Sequence, residues 1–209
     1  MSRPGQVSWS RWLAGATTFL ALVLGALALV AVTGPSSGAA ARPDKASADA
    51  GFARDMAVHH QQAVELSFIV RDRTSDEDIR RLAYDIINTQ ANQRGILLGR
   101  LAAWDLPANS QDPPMAWMGH TVTPHDGALM PGMATNTQMD ELRRAQGKAA
   151  EVLFLELLTQ HHRAGIGMAQ SAAEQVKDPV IKNLAEGMVR GQEAEVQLMA
   201  DLLKQREPA

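Results

Sequence analysis

The chain has 209 residues, a formal net charge of −3 and no cysteine. The lack of cysteine excludes disulfides, thiolate metal sites and cysteine nucleophiles, and the acidic balance without a basic stripe argues against nucleic acid as a partner. Aromatic residues make up only 4% of the chain, so the core has to consist mainly of aliphatic residues and methionine. This composition, rich in good helix formers, favours an all-α domain over a β-sandwich.

The N-terminal segment predicts export. Residues 13–32 (LAGATTFLALVLGALALVAV) carry no charge and are long enough to cross a hydrocarbon layer of about 30 Å as a helix. Arg3 and Arg11 precede them, which predicts a cytoplasmic N-terminus and export of the rest. Two interpretations stay open for residues 1–33. They form either an uncleaved anchor in the cytoplasmic membrane, or a signal peptide that is removed by cleavage near Ala41.

Four long helices are predicted after a linker. Residues 34–48 are small, polar and proline-containing, which is typical of a linker. In the domain that follows, at 49–206, apolar residues recur at intervals of three and four, and this spacing is typical of amphipathic helices. The predicted helices span 49–72, 76–104, 148–176 and 178–206, and a shorter one is expected at 138–146.

Capping residues support two of the predicted helix starts. Ser75 together with Asp78 predicts an N-cap for the second long helix. Asp178 followed by Pro179 predicts an N-cap for the fourth, because proline is favoured at the first helical position.

The halves 49–104 and 148–206 are related by internal duplication. A fixed shift of 102 positions aligns them without a gap, and each half reads as a helical hairpin with one apolar face. Two such hairpins bury their faces by packing together, which predicts an all-α four-helix bundle with approximate two-fold symmetry. The identical pairs include Phe52/Phe154, His59/His161, His60/His162, Asp76/Asp178, Ile79/Ile181, Leu82/Leu184, Ala83/Ala185, Gln90/Gln192 and Leu101/Leu203.

The connection between the halves, residues 105–137, shows little helical period and contains five prolines. Loops of this length inside a domain tend to be functional or disordered. Methionine and histidine are concentrated in it, at Met115, Met118, His120, His125, Met130 and Met133.

The repeated His-His pair is a candidate metal site. The bundle should bring imidazoles of both halves together, and imidazole with thioether suits copper, especially Cu(I). Asp55 lies four residues before His59, where a carboxylate could orient an imidazole or join it on the metal. The predicted ligands are His59, His60, His161, His162, Met56, Met168, Asp55, Met130, Met133, His120 and His125. In the alternative interpretation the histidines are core residues hydrogen-bonded to neighbours such as Gln90 or Gln192.

The sequence contains no motif of a known catalytic set. Glu-x-x-His, which a di-iron carboxylate bundle requires, is absent, and so are His-Glu-x-x-His, Gly-x-Ser-x-Gly and glycine-rich phosphate loops. We therefore expect a binding protein and not an enzyme.

Several stretches resemble the bacterial DUF305 family, a domain of unknown function. They are GFARDMAVHHQQAVELSF, RRLAYDIINTQANQ, the stretch from MPGMATNTQ to TQHHRAGIGMAQ, and NLAEGMVRGQEAEVQLMADLL, and together they span about residues 49–204. The resemblance implies a ferritin-like four-helix bundle that is usually exported and is in some members linked to copper or silver binding. The positions that it implies as motif residues are Asp55, Met56, His59, His60, Gln90, Met130, Met133, His161, His162, Met168, Gln192, Glu195 and Met199. Leu66 and Leu158 stand where many members have methionine, Gln93 where many have glutamate, and His120 where methionine is common.

Two functional hypotheses follow. In the first, the chain is an exported, membrane-tethered protein that binds copper in order to scavenge or carry it. In the second, it is a non-enzymatic module that binds an envelope protein through the long connection, and the histidine pairs serve packing alone. The oligomeric state stays open.

Overall fold

Residues 42–206, the part of the chain that the computed structural model describes, fold into an all-α domain. The long helices are α1 (Ala48–Arg71), α2 (Glu77–Ala103), α4 (Gly147–Gln175) and α5 (Pro179–Lys204), with a short α3 (Asn136–Arg144) before α4. A single 3-10 turn (Ala116–Met118) lies in the connection. These bounds confirm the five helices predicted from apolar spacing.

The predicted membrane anchor or signal peptide, residues 1–33, lies outside the described residues, as does the linker up to Ala41. Within residues 42–206, no helix has both the length and the apolar character that crossing a membrane requires.

The helices pair in the order that the duplication predicts. Helix α1 packs along α2, α4 packs along α5, and the two hairpins meet mainly where α1 contacts α4. Side chains of all four long helices enter the same core. The short helix α3 lies against α1 and α4.

The predicted cap of α2 was wrong by one residue. Asp76, and not Ser75, is the N-cap, because its carboxylate accepts a hydrogen bond from the Ile79 amide. The cap of α5 is confirmed: Asp178 accepts from the amides of Val180 and Ile181, and Pro179 begins the helix. Asp76 and Asp178 are equivalent in the duplication, so both hairpins begin their second helix in the same way.

Two carboxylates join the ends of the hairpins in a reciprocal manner. Asp49, at the start of α1, accepts hydrogen bonds from the amides of Lys177 and Asp178 in the turn of the second hairpin, at 3.0 and 2.7 Å. Its counterpart in the duplication, Glu151 on α4, accepts from the Thr74 hydroxyl in the turn of the first hairpin. We call these contacts the end clasps.

Arg206 completes the second clasp. Its guanidinium contacts Glu151 at 2.8 Å and Asp76 at 2.9 Å, and its side chain is only 7% exposed. It thereby links the end of α5 to the start of α2 and to α4.

We expect Arg206→Ala to lower the free energy of unfolding by about 2–4 kcal/mol, because it leaves the buried Glu151 carboxylate without its charged partner. Lys204→Ala is the matched control: Lys204 also ends α5 next to an aspartate, but its side chain is 71% exposed, so its loss should cost under about 0.5 kcal/mol. Urea unfolding of the two variants checks this. Equal losses would show that the clasp adds no stability.

Candidate metal centre

A buried polar layer divides the core of the bundle into two apolar clusters. Its members are His59, His60, Gln90, His161, His162 and Gln192, all of them at most 4% exposed. The first apolar cluster contains Phe52, Met56, Leu97, Met168 and Met188, and the second contains Leu66, Ile86, Phe154, Leu158 and Met199. On every long helix, the layer residues stand between residues of the first cluster and residues of the second.

Histidines from the two repeats meet in this layer. The rings of His59 and His161 stack with centroids 3.7 Å apart and planes tilted by 30°. The rings of His161 and His162 lie 6.1 Å apart. Residues separated by 102 positions are therefore neighbours, as the duplication predicts.

Gly165 makes room for this packing. A Cβ atom at that position would lie 2.6 Å from Oε1 of Gln192 and 3.3 Å from Cε1 of His59. The lack of a side chain at residue 165 therefore gives the Gln192 amide and the His59 ring room to lie against α4.

Few of the imidazole nitrogens are hydrogen-bonded. His161 Nε2 lies 3.0 Å from the His59 carbonyl oxygen, and His162 Nε2 lies 2.8 Å from Glu195 Oε2. Within residues 42–206, neither nitrogen of His59 or His60 has a partner in hydrogen-bonding geometry, nor does Nδ1 of His161 or His162. An unpaired buried polar atom costs about 1–3 kcal/mol, so the six nitrogens without a partner make the layer unfavourable for folding.

Burial lowers the pKa of three of the layer histidines, His59, His60 and His161. Desolvation, reinforced by the neighbouring His162 and opposed by the Pro131 carbonyl, lowers the pKa of His59 from 6.5 to about 3. Desolvation, followed by repulsion from His59 and opposed by Gln93, likewise lowers the pKa of His60 to about 3. The pKa of His161 also falls well below its usual value, first through desolvation and then through the other three histidines. Neutral imidazole is the form that binds metals.

A tight turn in the connection covers the layer. Residues Met130–Met133 form a β-turn closed by the Met133 amide and the Met130 carbonyl, with Gly132 at φ +76°. Proline followed by a glycine of positive φ is typical of a type II turn. A Cβ on Gly132 would lie 2.4 Å from Cβ of Ala164 and 2.7 Å from the Gln160 carbonyl oxygen. The turn therefore lies directly on α4, beside His161.

The same turn is held on α1. The side-chain amide of Gln62 donates to the Ala134 carbonyl at 2.8 Å and accepts from the Ala134 amide at 2.7 Å. The turn thus contacts the first helix of each repeat, and the Pro131 carbonyl comes close enough to influence His59.

The predicted methionines lie on one side of the layer. Met56, Met168 and Met130 are buried in the first apolar cluster, and Met133 packs against it half-buried. The predicted thioether ligands therefore all belong to the apolar cluster on one side of the layer.

Three predicted ligands are placed elsewhere. Asp55 does not orient a histidine; its Oδ2 accepts hydrogen bonds from the Met115 amide at 2.8 Å and from Trp117 Nε1 at 3.0 Å, so it anchors the connection to α1. Burial raises the pKa of Asp55, and these hydrogen bonds oppose the increase. His120 and His125 are exposed, and the structure does not bring them to the layer.

The rings do not surround a preformed metal cage. In the part of the chain that the structure describes, no three side chains from histidine, cysteine, aspartate and glutamate are grouped so that they could hold an ion. The layer offers closely packed nitrogen donors, but the stacked rings of His59 and His161 are arranged as in a packed core.

The family assignment follows from a direct match. The model of DUF305, a domain of unknown function, matches residues 49–203. The chain belongs to the DUF305 family. A search of curated proteins finds no match.

Solved structures of similar proteins share the fold. A DUF305 protein of Streptomyces coelicolor, provisionally described as secreted, is 58% identical with a TM-score of 0.73, over 78% of this chain and 95% of that one. A DUF305 fragment from Deinococcus radiodurans is 25% identical with a TM-score of 0.64, over 76% and 96%. CopM in its Cu(II)-bound form is 20% identical with a TM-score of 0.62, over 77% and 98%. At that identity the likeness to CopM concerns the fold alone.

Sequence reasoning missed several residues around the layer of this DUF305 chain. Met115 and Met188 are buried in the first apolar cluster, but neither was among the predicted ligands. Met188 was missed because it occupies an ordinary core position of α5. Gln62 was missed because nothing in the sequence marks its pairing with Ala134. The Pro131-Gly132 dipeptide does signal a turn, but spacing alone could not place that turn on the histidines.

We expect Gly132→Ala to destabilise the protein by about 2–4 kcal/mol, because the new Cβ strains a left-handed backbone and collides with α4. Gly119→Ala is the matched control: Gly119 has φ +79°, and no described atom lies within 4 Å of its added Cβ, so only the backbone term of about 1 kcal/mol remains. Urea unfolding measures both. If the two substitutions cost the same, the turn does not press on α4.

We expect the metal-free protein to lose stability between pH 7 and pH 5. The unfolded chain takes up protons at histidine below about pH 6.5, whereas His59 and His60 stay neutral until about pH 3. Their contribution to stability is therefore complete above pH 6.5 and decreases as the pH falls, by about 2 kcal/mol for each of these two histidines at pH 5. His60→Gln should lose about 2 kcal/mol less than wild type over this range, and His125→Gln should match wild type. Identical pH slopes in all three proteins would contradict the low pKa of His60.

Proposed function

We propose that this DUF305 protein binds copper, as Cu(I), in the polar layer and acts outside the cytoplasmic membrane as a scavenger or carrier of the ion. The observation that carries the proposal is the set of six nitrogens without a hydrogen-bond partner on four buried imidazoles, which both repeats contribute. In this proposal copper is the ion that the protein carries, and the helical bundle encloses it.

The chemistry of the donors supports a soft monovalent ion. Imidazole and thioether prefer Cu(I), whereas Mg²⁺ and Ca²⁺ require oxygen ligands. The layer contains no carboxylate of its own, and the nearest one bonded to it, Glu195, is engaged with His162. His59, His60, His161 and His162 are the proposed primary ligands, and Met56 and Met168 are the proposed thioether donors.

Binding requires a change in the stacked pair. The lone pair of an imidazole nitrogen lies in the plane of its ring, so stacked rings cannot direct their lone pairs at one ion between them. His59 or His161 therefore has to re-orient before both can contact the same ion. The Met130–Met133 turn, which rests on α4 beside His161, is the part of the connection that such a movement meets first.

Relatives provide independent support of a weaker kind. CopM, which shares the fold at about 20% identity, has been crystallised with Cu(II), Cu(I) and Ag. The proposed location rests on the uncharged run at 13–32, and the 58% identical S. coelicolor protein is provisionally described as secreted. Tethering to the membrane is proposed from the length of that run.

A second candidate function is an envelope interaction module whose histidines only specify packing. It is favoured by the stacked arrangement of His59 and His161 and by the absence, within residues 42–206, of a ready three-residue metal group. Buried polar residues are known to specify unique packing in some bundles.

A competition titration with a chromophoric Cu(I) chelator distinguishes the two. We expect wild type to bind Cu(I) and a variant with all four layer histidines changed to glutamine to lose that binding, because an amide is a poor Cu(I) ligand. Glutamine already occurs twice in the layer, so the variant is suited to the core. His120→Gln with His125→Gln is the control, and it should bind like wild type because both residues are exposed.

Thermal unfolding with added metal provides a second measurement. Free metal at 100 times the dissociation constant should stabilise wild type by about 2.7 kcal/mol, and it should leave the four-glutamine variant unchanged. If wild type and that variant bind Cu(I) equally, or if neither binds, the copper proposal is wrong and the packing role remains.

A further inference from the structure

The two histidines of the second repeat are hydrogen-bonded at the same ring nitrogen. His161 Nε2 contacts the His59 carbonyl oxygen, and His162 Nε2 contacts Glu195 Oε2. A carbonyl oxygen and an ionised carboxylate only accept hydrogen bonds. Each Nε2 atom therefore carries a proton, and in the neutral form of either ring the lone pair is on Nδ1.

Those Nδ1 atoms are the ones left without a partner. Among the described residues, Nδ1 of His161 and Nδ1 of His162 have no hydrogen bond, although both rings are buried. In both His161 and His162, the Nε2 atom makes the hydrogen bond that orients the ring, and the Nδ1 atom remains available as an acceptor inside the layer.

Glu195 lies at the solvent-exposed edge of the layer and contacts His162 from there. It lies on α5 one turn after Gln192, and its side chain is 23% exposed whereas that of His162 is 0% exposed. The carboxylate therefore keeps contact with water while one oxygen holds the buried ring. A carboxylate that accepts the second N–H of a histidine fixes its tautomer and makes the other nitrogen a better ligand.

The first repeat has no carboxylate at the position equivalent to Glu195. The duplication aligns Glu195 with Gln93 and His162 with His60. Gln93 does lie near His60, where it opposes the fall in the His60 pKa, but an amide can either donate or accept a hydrogen bond. It therefore does not impose one tautomer, and the two halves of the layer are chemically unequal.

We infer that Glu195 is a positioning residue that fixes His162 as its Nε2–H tautomer, so that the second repeat presents His161 and His162 to a soft metal ion through Nδ1. This inference rests on the proposed function, because it assigns the ligand atoms of the same site. It adds that the second repeat holds its histidine rings by Nε2 hydrogen bonds before a metal ion arrives, whereas the first repeat has no carboxylate that fixes a tautomer.

The test uses Glu195→Gln in the full chain, because this substitution is isosteric and copies the residue of the first repeat. Glu193→Gln is the matched control, since Glu193 is an exposed residue on the same helix and loses the same charge. Long-range ¹⁵N–¹H NMR of the metal-free proteins at neutral pH reports which ring nitrogen is protonated. Silver(I) as the probe avoids oxidation during titration.

We expect the metal-free wild type and Glu193→Gln to show His161 and His162 protonated only at Nε2, and Glu195→Gln to show His162 in both tautomers. Silver(I) should shift the Nδ1 resonances of wild type, and Glu195→Gln should bind it about 10–100-fold more weakly. Glu193→Gln should bind like wild type.

The outcomes separate this inference from the proposed function. If wild type binds silver(I) but Glu195→Gln keeps both the tautomer and the affinity, Glu195 has no positioning role while the metal site stands. Protonation of His162 at Nδ1 in the wild type, or silver(I) ligation through Nε2, would also overturn the assignment. If wild type binds neither silver(I) nor Cu(I), the proposed function fails and the ligand assignment fails with it.

Discussion

Four buried imidazoles in the middle of an aliphatic core are the constraint on which this structure depends. Each ring has to be desolvated without full compensation by hydrogen bonds, and this opposes folding. Other parts of the molecule offset that cost by stabilising the fold. They are the apolar clusters on either side of the layer, the end clasps at both ends of the bundle, and the Met130–Met133 turn that packs on α4. The favourable contacts elsewhere in the domain therefore offset the free-energy cost of burying the histidine layer.

The architecture could be predicted from the sequence because the duplication is gapless. A shift of 102 residues relates His59 to His161 and Asp76 to Asp178, and this relation requires two equivalent hairpins whose apolar faces cover each other. The helix bounds followed from apolar spacing to within two residues for the long helices. The proximity of the histidines followed from the same symmetry, and not from any property of histidine itself.

The atomic detail of the site could not be predicted in the same way. Spacing placed Asp55 on the flank of His59, but the connection supplied it with two donors of its own, from Met115 and Trp117. The enrichment of His120 and His125 in the connection indicated ligands, whereas a residue in a long loop has no periodic constraint that would direct it inward. Periodicity defines the faces of helices, but the path of a loop depends on contacts with residues far away in the chain.

The end clasps bear on how such a site could arise. Asp49 reaches the turn of the other hairpin, and Glu151 does the same in return. A lone hairpin carrying one carboxylate and one turn could satisfy both only against a second copy of itself, with the histidine pair of each copy at the contact. In an ancestor of that kind the histidine nitrogens would have lain at a subunit interface. Because the two copies would have had the same sequence, any substitution would have occurred in both. In a single chain the two halves can differ, and glutamate at position 195 against glutamine at position 93 is a difference that two identical subunits could not have.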